Sequence, residues 1–261
     1  MFYAGLILGY LKNYFKTRLT YRSDFWIELL SDLMFNGLNL IFILIMFTHT
    51  ELIGEWNEQQ VLFIYGYFMM ASGLFNTFFN LWNFSERYIV KGEMDRVLTR
   101  PAYNLVQLVL ENMDPPSLFS SLVGFLIMAY TWTQLGLGFT WSDPFVLVLL
   151  VVGSVMIYAG IYIFFSALSF FSDAPTGITA LLYNLQNYGR YPMTIYNAVM
   201  KFTLTWVLPF GFVGFYPSAY FLDRANWGGF ALLTPVVGAV FFVTGVCVWN
   251  YGVKRYRGAG S

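Results

Sequence analysis

The stretch SERYIVKGEMDRVLTRP, residues 85–101, is a charged island between two long apolar runs. Seven of its 17 side chains are charged, whereas Asp, Glu, Lys and Arg make up only 11% of the 261-residue chain. Such a stretch does not lie in hydrocarbon, because a charged side chain at the bilayer centre costs about 2.5 kcal/mol or more. Four of the seven charges are basic, and short loops rich in Lys and Arg stay on the cytoplasmic side of a membrane. We therefore predict that the island is a cytoplasmic loop that orients the helices on either side of it.

The composition is that of a membrane protein with several spans. Hydrophobic residues make up 58% of the chain and aromatic residues 21%, whereas charged residues supply about a quarter of a typical soluble domain. The sequence contains no GxxxxGKS/T phosphate loop, no HExxH pair and no GxSxG elbow. A single histidine and a single cysteine also remove the common routes to metal or nucleophilic catalysis. We predict that the chain is not an enzyme and binds no cofactor itself.

Hydrophobic runs predict an all-α fold with spans on both sides of the island. A span needs about 20 predominantly apolar residues, and we predict spans at 25–47, 61–82, 144–171 and 230–251, with a shorter one at 117–132. Residues 1–22 place basic and apolar side chains on opposite helical faces, which indicates an elbow helix in the membrane interface. Residues 258–261, GAGS, are interpreted as a linker remnant beyond a single domain, 1–257.

The residues themselves leave the position of one further span open. Eleven of the fourteen Lys and Arg fall near the N-terminus, in the island and near the C-terminus, which predicts cytoplasmic termini and an even number of spans. Residues 177–192 are polar for a span, and residues 199–221 are apolar but interrupted by Pro209 and Pro217. Counting charges favours 199–221, with Arg190 inside. A re-entrant segment at 199–221 is equally compatible, because protein can bury non-helical backbone at membrane depth.

The first two predicted spans each carry a polar stripe at the spacing i, i+4, i+8 and i+11. The stripes consist of Glu28, Asp32, Asn36 and Asn39 in the first span, and of Ser72, Asn76, Asn80 and Asn83 in the second. A polar stripe faces protein or water rather than lipid. It indicates either hydrogen bonds between helices or the wall of a translocation path. Small residues at Gly66, Gly73, Gly153 and Gly160 predict close helix contacts.

The order of these features is similar to that of the permease subunit of type-2 ABC (ABC-2-like) exporters, in a bacterial branch of mostly unknown substrate. Short motifs carry the resemblance: GEMDRVLTRP at 92–101, GRYPMTIY at 189–196 and FYPSAYFL at 215–222. The resemblance covers nearly the whole chain. It implies six transmembrane helices, with 177–191 as the fifth, and a re-entrant extracellular segment, 195–223, before the last helix. Arg190 and Lys201 would then lie outside or at the outer interface.

The resemblance also implies how such a protein would be driven. The loop between spans two and three, residues 83–114, would dock on a separate ATPase subunit, present in two copies, which would bind ATP and Mg²⁺. The docking residues implied here are Glu86, Arg87, Gly92, Asp95, Arg96 and Arg100. The simpler interpretation of the same charges is that they only hold the loop inside, and the two interpretations are compatible.

In such exporters two permeases pair around a central path, which implies a second permease, identical or paralogous. By that analogy the path would be lined by Asn36, Asn39, Asn76, Asn80 and Asn187. Amides rather than charges favour a polar or amphipathic substrate. The implied location is the bacterial inner membrane, with lipids but no nucleic acid as partners.

Two other functions are weighed against this one. A stand-alone secondary transporter or channel would need an inverted repeat or charges at the membrane midplane, and the sequence displays neither. The polar stripes argue against a membrane scaffold with no role in transport.

Overall fold

The computed structural model describes residues 22–171 and 178–256, as well as Gly5, Gly9 and Lys12. Within these residues the regular secondary structure is helical and there is no β-strand, which confirms the all-α prediction. The predicted elbow helix, 1–22, lies outside the described residues except at its last position and the three isolated sites, and the 258–261 remnant lies outside them entirely.

Long helices alternate with groups of short ones. In chain order they are α1 Arg22–His49, α2 Glu58–Phe79, α3 Glu93–Leu98, α4 Asn104–Glu111, α5 Ser117–Gln134, α6 Asp143–Leu168, α7 Ile178–Gln186, α8 Ala198–Phe202, α9 Phe215–Leu222, α10 Arg224–Ala231 and α11 Thr234–Arg255. Short π-helical or 3₁₀ turns lie between or extend them, at Ser85–Val90, Ser169–Phe171, Asn187–Arg190, Met193–Ile195, Thr203–Val207 and Phe210–Phe212.

Four segments of the described chain are long and apolar enough to cross a membrane: Phe25–His49, Glu58–Phe79, Asp143–Phe171 and Arg224–Arg255. They coincide with the predicted first, second, fourth and last spans, so the chain is a multi-pass membrane protein. The predicted third span is also helical, as α5. With 18 residues, it is about 27 Å long at 1.5 Å per residue.

Small residues bring α2 and α5 into backbone contact. A Cβ atom on Gly66 would lie 2.8 Å from the carbonyl oxygen of Gly124, and one on Gly73 would lie 2.7 Å from the backbone nitrogen of Ser121. The later position on α2 meets the earlier position on α5, so the two helices are antiparallel. Only a residue without a side chain permits so close an approach.

The pair α6 and α11 packs in the same way but in parallel. Cβ atoms on Gly153 and Gly160 would lie 2.8 Å from the nitrogen of Pro235 and 2.4 Å from the carbonyl carbon of Phe241. The predicted close contacts are thus confirmed, and all four glycines make them within the chain. Because α6 and α11 run in the same direction, the chain between them must return to the level at which α6 begins.

The first part of this return runs along α2. The turn after α7 brings Arg190 beside Phe68, halfway along α2. Thr194 then accepts a hydrogen bond of 3.0 Å from the indole nitrogen of Trp56, which lies just before α2. The placement of Arg190 differs from the outer-interface position that the resemblance implied, because the surrounding helices bury its side chain to 5% exposure.

Residues 195–223 turn back into the middle of the bundle and leave it again. The ring centroid of Phe210 lies 5.8 Å from that of Tyr158, near the middle of α6, and the Phe212 carbonyl accepts a hydrogen bond from Ser154 at 3.0 Å. Arg224 then pairs with Asp143, at the start of α6, at 2.6 Å. No continuous helix runs over 199–221, the segment that the charge count favoured as a span, because the helix breaks between α8 and α9.

Helix α1 packs against the rest of the bundle on one side only. In the most apolar 18-residue stretch of α1, 11% of the residues are buried. In the corresponding stretch of α2, 78% are buried. Exposed side chains such as Met34 and Leu38 cover the opposite side. Such a face suits lipid tails or the apolar surface of another membrane subunit.

Candidate functional site

The charged island and α4, which follows it, fold together into a compact unit of three short helical elements. The turn Ser85–Val90 leads through Gly92 into α3, and α4 packs against α3. Gly92 has a φ of 74°, a left-handed conformation that suits glycine. Four apolar side chains form the base of the unit and are buried: Met94, Val97, Leu105 and Leu108.

Glu111, at the end of α4, is the centre of the island's polar contacts. It accepts two hydrogen bonds from Arg96, at 3.0 and 2.9 Å, and one from Arg100 at 2.7 Å. The hydroxyl of Tyr88 donates a fourth at 3.2 Å. The Glu111 side chain is only 10% exposed. This carboxylate therefore attaches the end of α4 to the island.

A second group of contacts closes the same unit. Arg87 donates to Glu93 at 3.0 Å and to the side-chain oxygen of Asn112 at 3.4 Å. The amide of Asn112 donates in turn to the Tyr88 hydroxyl at 2.9 Å. These bonds join the turn before α3 to the end of α4.

Local charges reinforce the ionisation states that these contacts require. Hydrogen bonds to Glu111 raise the pKa of the Arg96 guanidinium above its usual value, and burial raises the pKa of the Tyr88 phenol. On the outer surface, the hydrogen bond from Lys91 lowers the pKa of the Glu86 carboxyl. Near neutral pH the arginine is therefore charged, the phenol neutral and the exposed carboxyl ionised.

The residues predicted to dock on a partner have different surroundings. Arg87, Arg96 and Arg100 are bound to carboxylates of the island or α4. Glu86 pairs with Lys91 at 2.8 Å on the surface, and Gly92 makes the turn. Asp95 is exposed, and within the described part of the chain its side chain forms no hydrogen bond or ion pair.

A polar groove opens beside the island between α1, α2 and α7. Its volume is about 380 Å³, and its polar lining includes Glu28, Asp32, Asn76, Asn80, Asp114 and Gln186. Several aromatic side chains complete the wall: Phe75, Phe79, Trp82, Tyr162 and Tyr183. The backbone nitrogen of Asp114 donates to the carbonyl of Thr77 at 3.0 Å, so the chain leaving α4 is attached directly to α2 at the groove.

A smaller cavity of about 60 Å³ continues from the groove, since Asp32, Asn76, Tyr183 and Gln186 line both. Asn36, Asn187 and Arg190 are also part of its wall. The two predicted polar stripes thus meet at one place, as their matching spacing suggested.

Part of the first stripe is used for packing. The Ser120 hydroxyl of α5 donates to Asp32 of α1, and the Asn36 amide donates to Asp32 at 3.2 Å. The Tyr65 hydroxyl of α2 donates to the Asn36 carbonyl at 2.7 Å. Hydrogen bonding between helices and the lining of a groove therefore occur on the same face.

Four of the five residues predicted to line a path lie on these two cavities: Asn36, Asn76, Asn80 and Asn187. Asn39 lies on neither, and its amide donates to the Phe35 carbonyl of its own helix at 2.8 Å. Sequence reasoning did not identify Glu111 or Arg190 as site residues. The GRYP motif contained Arg190, but nothing in its spacing indicated burial beside Phe68.

These observations first define a class: a helical membrane protein with several spans, a polar groove between them and a compact charged loop beside one end of the groove. A family model described as "ABC-2 family transporter protein" matches residues 33–260. The chain belongs to this family and is an ABC-2-type permease, which confirms the resemblance found in its motifs. No curated protein and no solved structure matches the chain.

Proposed function

We propose that the chain is the membrane-spanning half of an ATP-driven exporter in the bacterial inner membrane, with both termini in the cytoplasm. It pairs with a second permease, identical or paralogous, and with two copies of an ATPase subunit. ATP and Mg²⁺ bind to that ATPase, and the charged island transmits its movement.

The proposal includes six spans, an elbow helix over 1–22 and a re-entrant segment over 195–223. The parallel directions of α6 and α11 support a crossing between them, which we assign to 177–191. The described helical part of that crossing, 178–190, has 13 residues, and the contact of Thr194 with Trp56 extends it to the level where α2 begins. The contacts of Phe210 and Arg224 support a segment that enters and leaves by the same side.

The observation that carries the proposal is the attachment of the island to the groove. Glu111 binds the island through two arginines, and Asp114, three residues later, lines the groove and is bonded to α2. A rigid element with contacts at both ends can pass a domain rotation to the helices. Loose, solvated charges would hold the loop inside but would not transmit force.

Only some of the charged residues of the island are available for docking on a partner. Asp95 and Leu98, which is 39% exposed, lie on the surface of α3, and the pair of Lys91 and Glu86 in the preceding turn is also exposed. We propose that this surface contacts the ATPase directly. The three arginines keep α3 in place and contribute their remaining exposed edges.

The groove supplies this chain's half of the translocation path. Its amide side chains and aromatic wall suit a polar or amphipathic compound. Asn39 would join the lining only if the second permease closes the groove from that side. The exposed side of α1 would contact lipid or the second permease.

Charge reversal at Asp95 tests the coupling. Because Asp95 has no described internal partner, Asp95→Lys is expected to leave folding and membrane insertion unchanged but to reduce the ATPase activity of the assembled complex. The matched control is Glu55→Lys, which reverses an exposed acidic residue in the loop before α2. Full ATPase coupling in Asp95→Lys would show that the island only orients the chain.

A further inference from the structure

Arg190 is a buried cation inside the membrane-spanning bundle. Its side chain is 5% exposed, and its guanidinium carbon lies 5.4 Å from the ring centroid of Phe68, in the middle of α2. Charged side chains at such depth are costly, and they usually pair with an opposite charge or serve a ligand pathway.

The described residues supply only partial compensation for this charge. The guanidinium donates to the backbone carbonyl of Asn187 at 3.0 Å and to the side-chain oxygen of the same residue. The Phe68 ring adds a cation–π contact. Among the described residues no carboxylate pairs with Arg190, so its full positive charge has neutral partners only.

Asp32 is the acidic residue on the wall of the same small cavity. Its oxygens already accept hydrogen bonds from Ser120 and from Asn36, and it forms no ion pair with Arg190. The cavity therefore has a cationic side at Arg190 and an acidic side on α1.

We propose that Arg190 binds the anionic group of the transported compound, a carboxylate or a phosphate. The proposal rests on the proposed function, because the cavity continues the groove that we assign to the path. The amide of Asn76 lines the same cavity and can donate to a remaining oxygen, whereas the amide of Asn36 is already bonded to Asp32. Guanidinium groups suit this role, because they form charge-assisted bonds with such anions.

The other residues that line the groove indicate the chemical character of the remainder of the ligand. Aromatic side chains such as Phe75, Trp82 and Tyr183 offer a surface for an apolar body. Glu28 lines the groove on the α1 side but not the small cavity, and it repels a second anionic group there. The ligand class is therefore an amphiphile with one anionic group, oriented towards Arg190.

Three amphiphiles with the same twelve-carbon chain but different headgroups test this assignment. They are dodecanoate, dodecylphosphocholine and dodecyltrimethylammonium, each below its critical micelle concentration. Binding to the purified protein with its partner subunits, in phosphatidylcholine nanodiscs and without ATP, is measured with radiolabelled dodecanoate. We expect dodecanoate to bind most tightly and the cationic compound not to displace it.

Variants at Arg190 identify the contact. Arg190→Gln is expected to weaken dodecanoate binding by about tenfold or more, the effect of losing a charge-assisted hydrogen bond. Arg190→Lys keeps the charge and is expected to retain part of the affinity. Lys201→Gln is the matched control, because Lys201 lines neither cavity.

Equal affinity in the wild type and in Arg190→Gln would overturn the assignment, as would stronger binding of the cationic compound. The comparison of headgroups needs no variant, so the test stands even if Arg190→Gln does not fold.

Displacement of dodecanoate by added phosphatidylglycerol would identify an anionic lipid as the occupant, and retention would identify a soluble amphiphile. Binding is measured without ATP, so the two proposals can fail separately. A complex in which this chain does not affect ATPase activity would contradict the exporter function, but the result of the binding assay would still stand.

Discussion

Glu111→Ala is expected to loosen the charged island without unfolding the helices around the groove. The variant removes the acceptor for two arginines and for the Tyr88 hydroxyl. Each ion pair contributes about 0.5 kcal/mol, because Arg96 and Arg100 are each more than 40% exposed and are screened by water. The hydroxyl left without its acceptor costs about 1 kcal/mol more. The total is about 2 kcal/mol, or about thirtyfold in a local opening equilibrium.

Hydrogen–deuterium exchange measures this opening directly. The amide protons of Val97 and Thr99, in and just after α3, are expected to exchange about thirtyfold faster in Glu111→Ala. Those of α2 are expected to keep their protection. The ATPase activity of the assembled complex is expected to fall with the loss of α3 order. Glu55→Ala, which removes an exposed glutamate from the loop before α2, is the control. Unchanged exchange in α3 would refute the central role given to Glu111.

Two further predictions compare matched pairs. Gly160→Ala is expected to lower the melting temperature, because the new methyl group would lie 2.4 Å from the backbone of Phe241 and overpacking costs about 1–3 kcal/mol. Gly37→Ala has no neighbour within 4 Å, and thermal unfolding in detergent should find it no less stable than the wild type. Asn76→Ala is expected to reduce substrate-stimulated ATPase activity, because Asn76 lines both cavities. Asn39→Ala, outside both, is expected to retain that activity; an equal loss in the two would contradict the assignment of the groove.

Periodic patterns in the sequence predicted the helices and much of the site. Polar residues spaced at one helical turn must share a face, which is why Asn36 and Asn76 could be placed on a common seam. The pattern could not exclude Asn39, because whether the last turn of a stripe reaches the cavity depends on how α1 tilts against its neighbours. The glycine pattern similarly predicted close packing at Gly160 but not that its partner would be α11.

Contacts between distant parts of the chain were beyond sequence reasoning. Glu111 lies outside the island, and only the packing of α4 against α3 brings it within hydrogen-bonding distance of Arg96. The charge count placed Arg190 inside and the resemblance placed it at the outer interface; neither could foresee its burial, which depends on Phe68, Asn187 and the surrounding helices.

The subunit composition of the complex tests the exporter function most directly. The chain would be purified in mild detergent from its native membrane, and the intact assembly weighed by native mass spectrometry. We predict two copies of an ATPase subunit and two permeases, of which the second is either another copy of this chain or a paralogue. A chain that purifies alone or as a homo-oligomer, with no nucleotide-binding partner in several mild detergents, would contradict the function and favour a stand-alone transporter or channel.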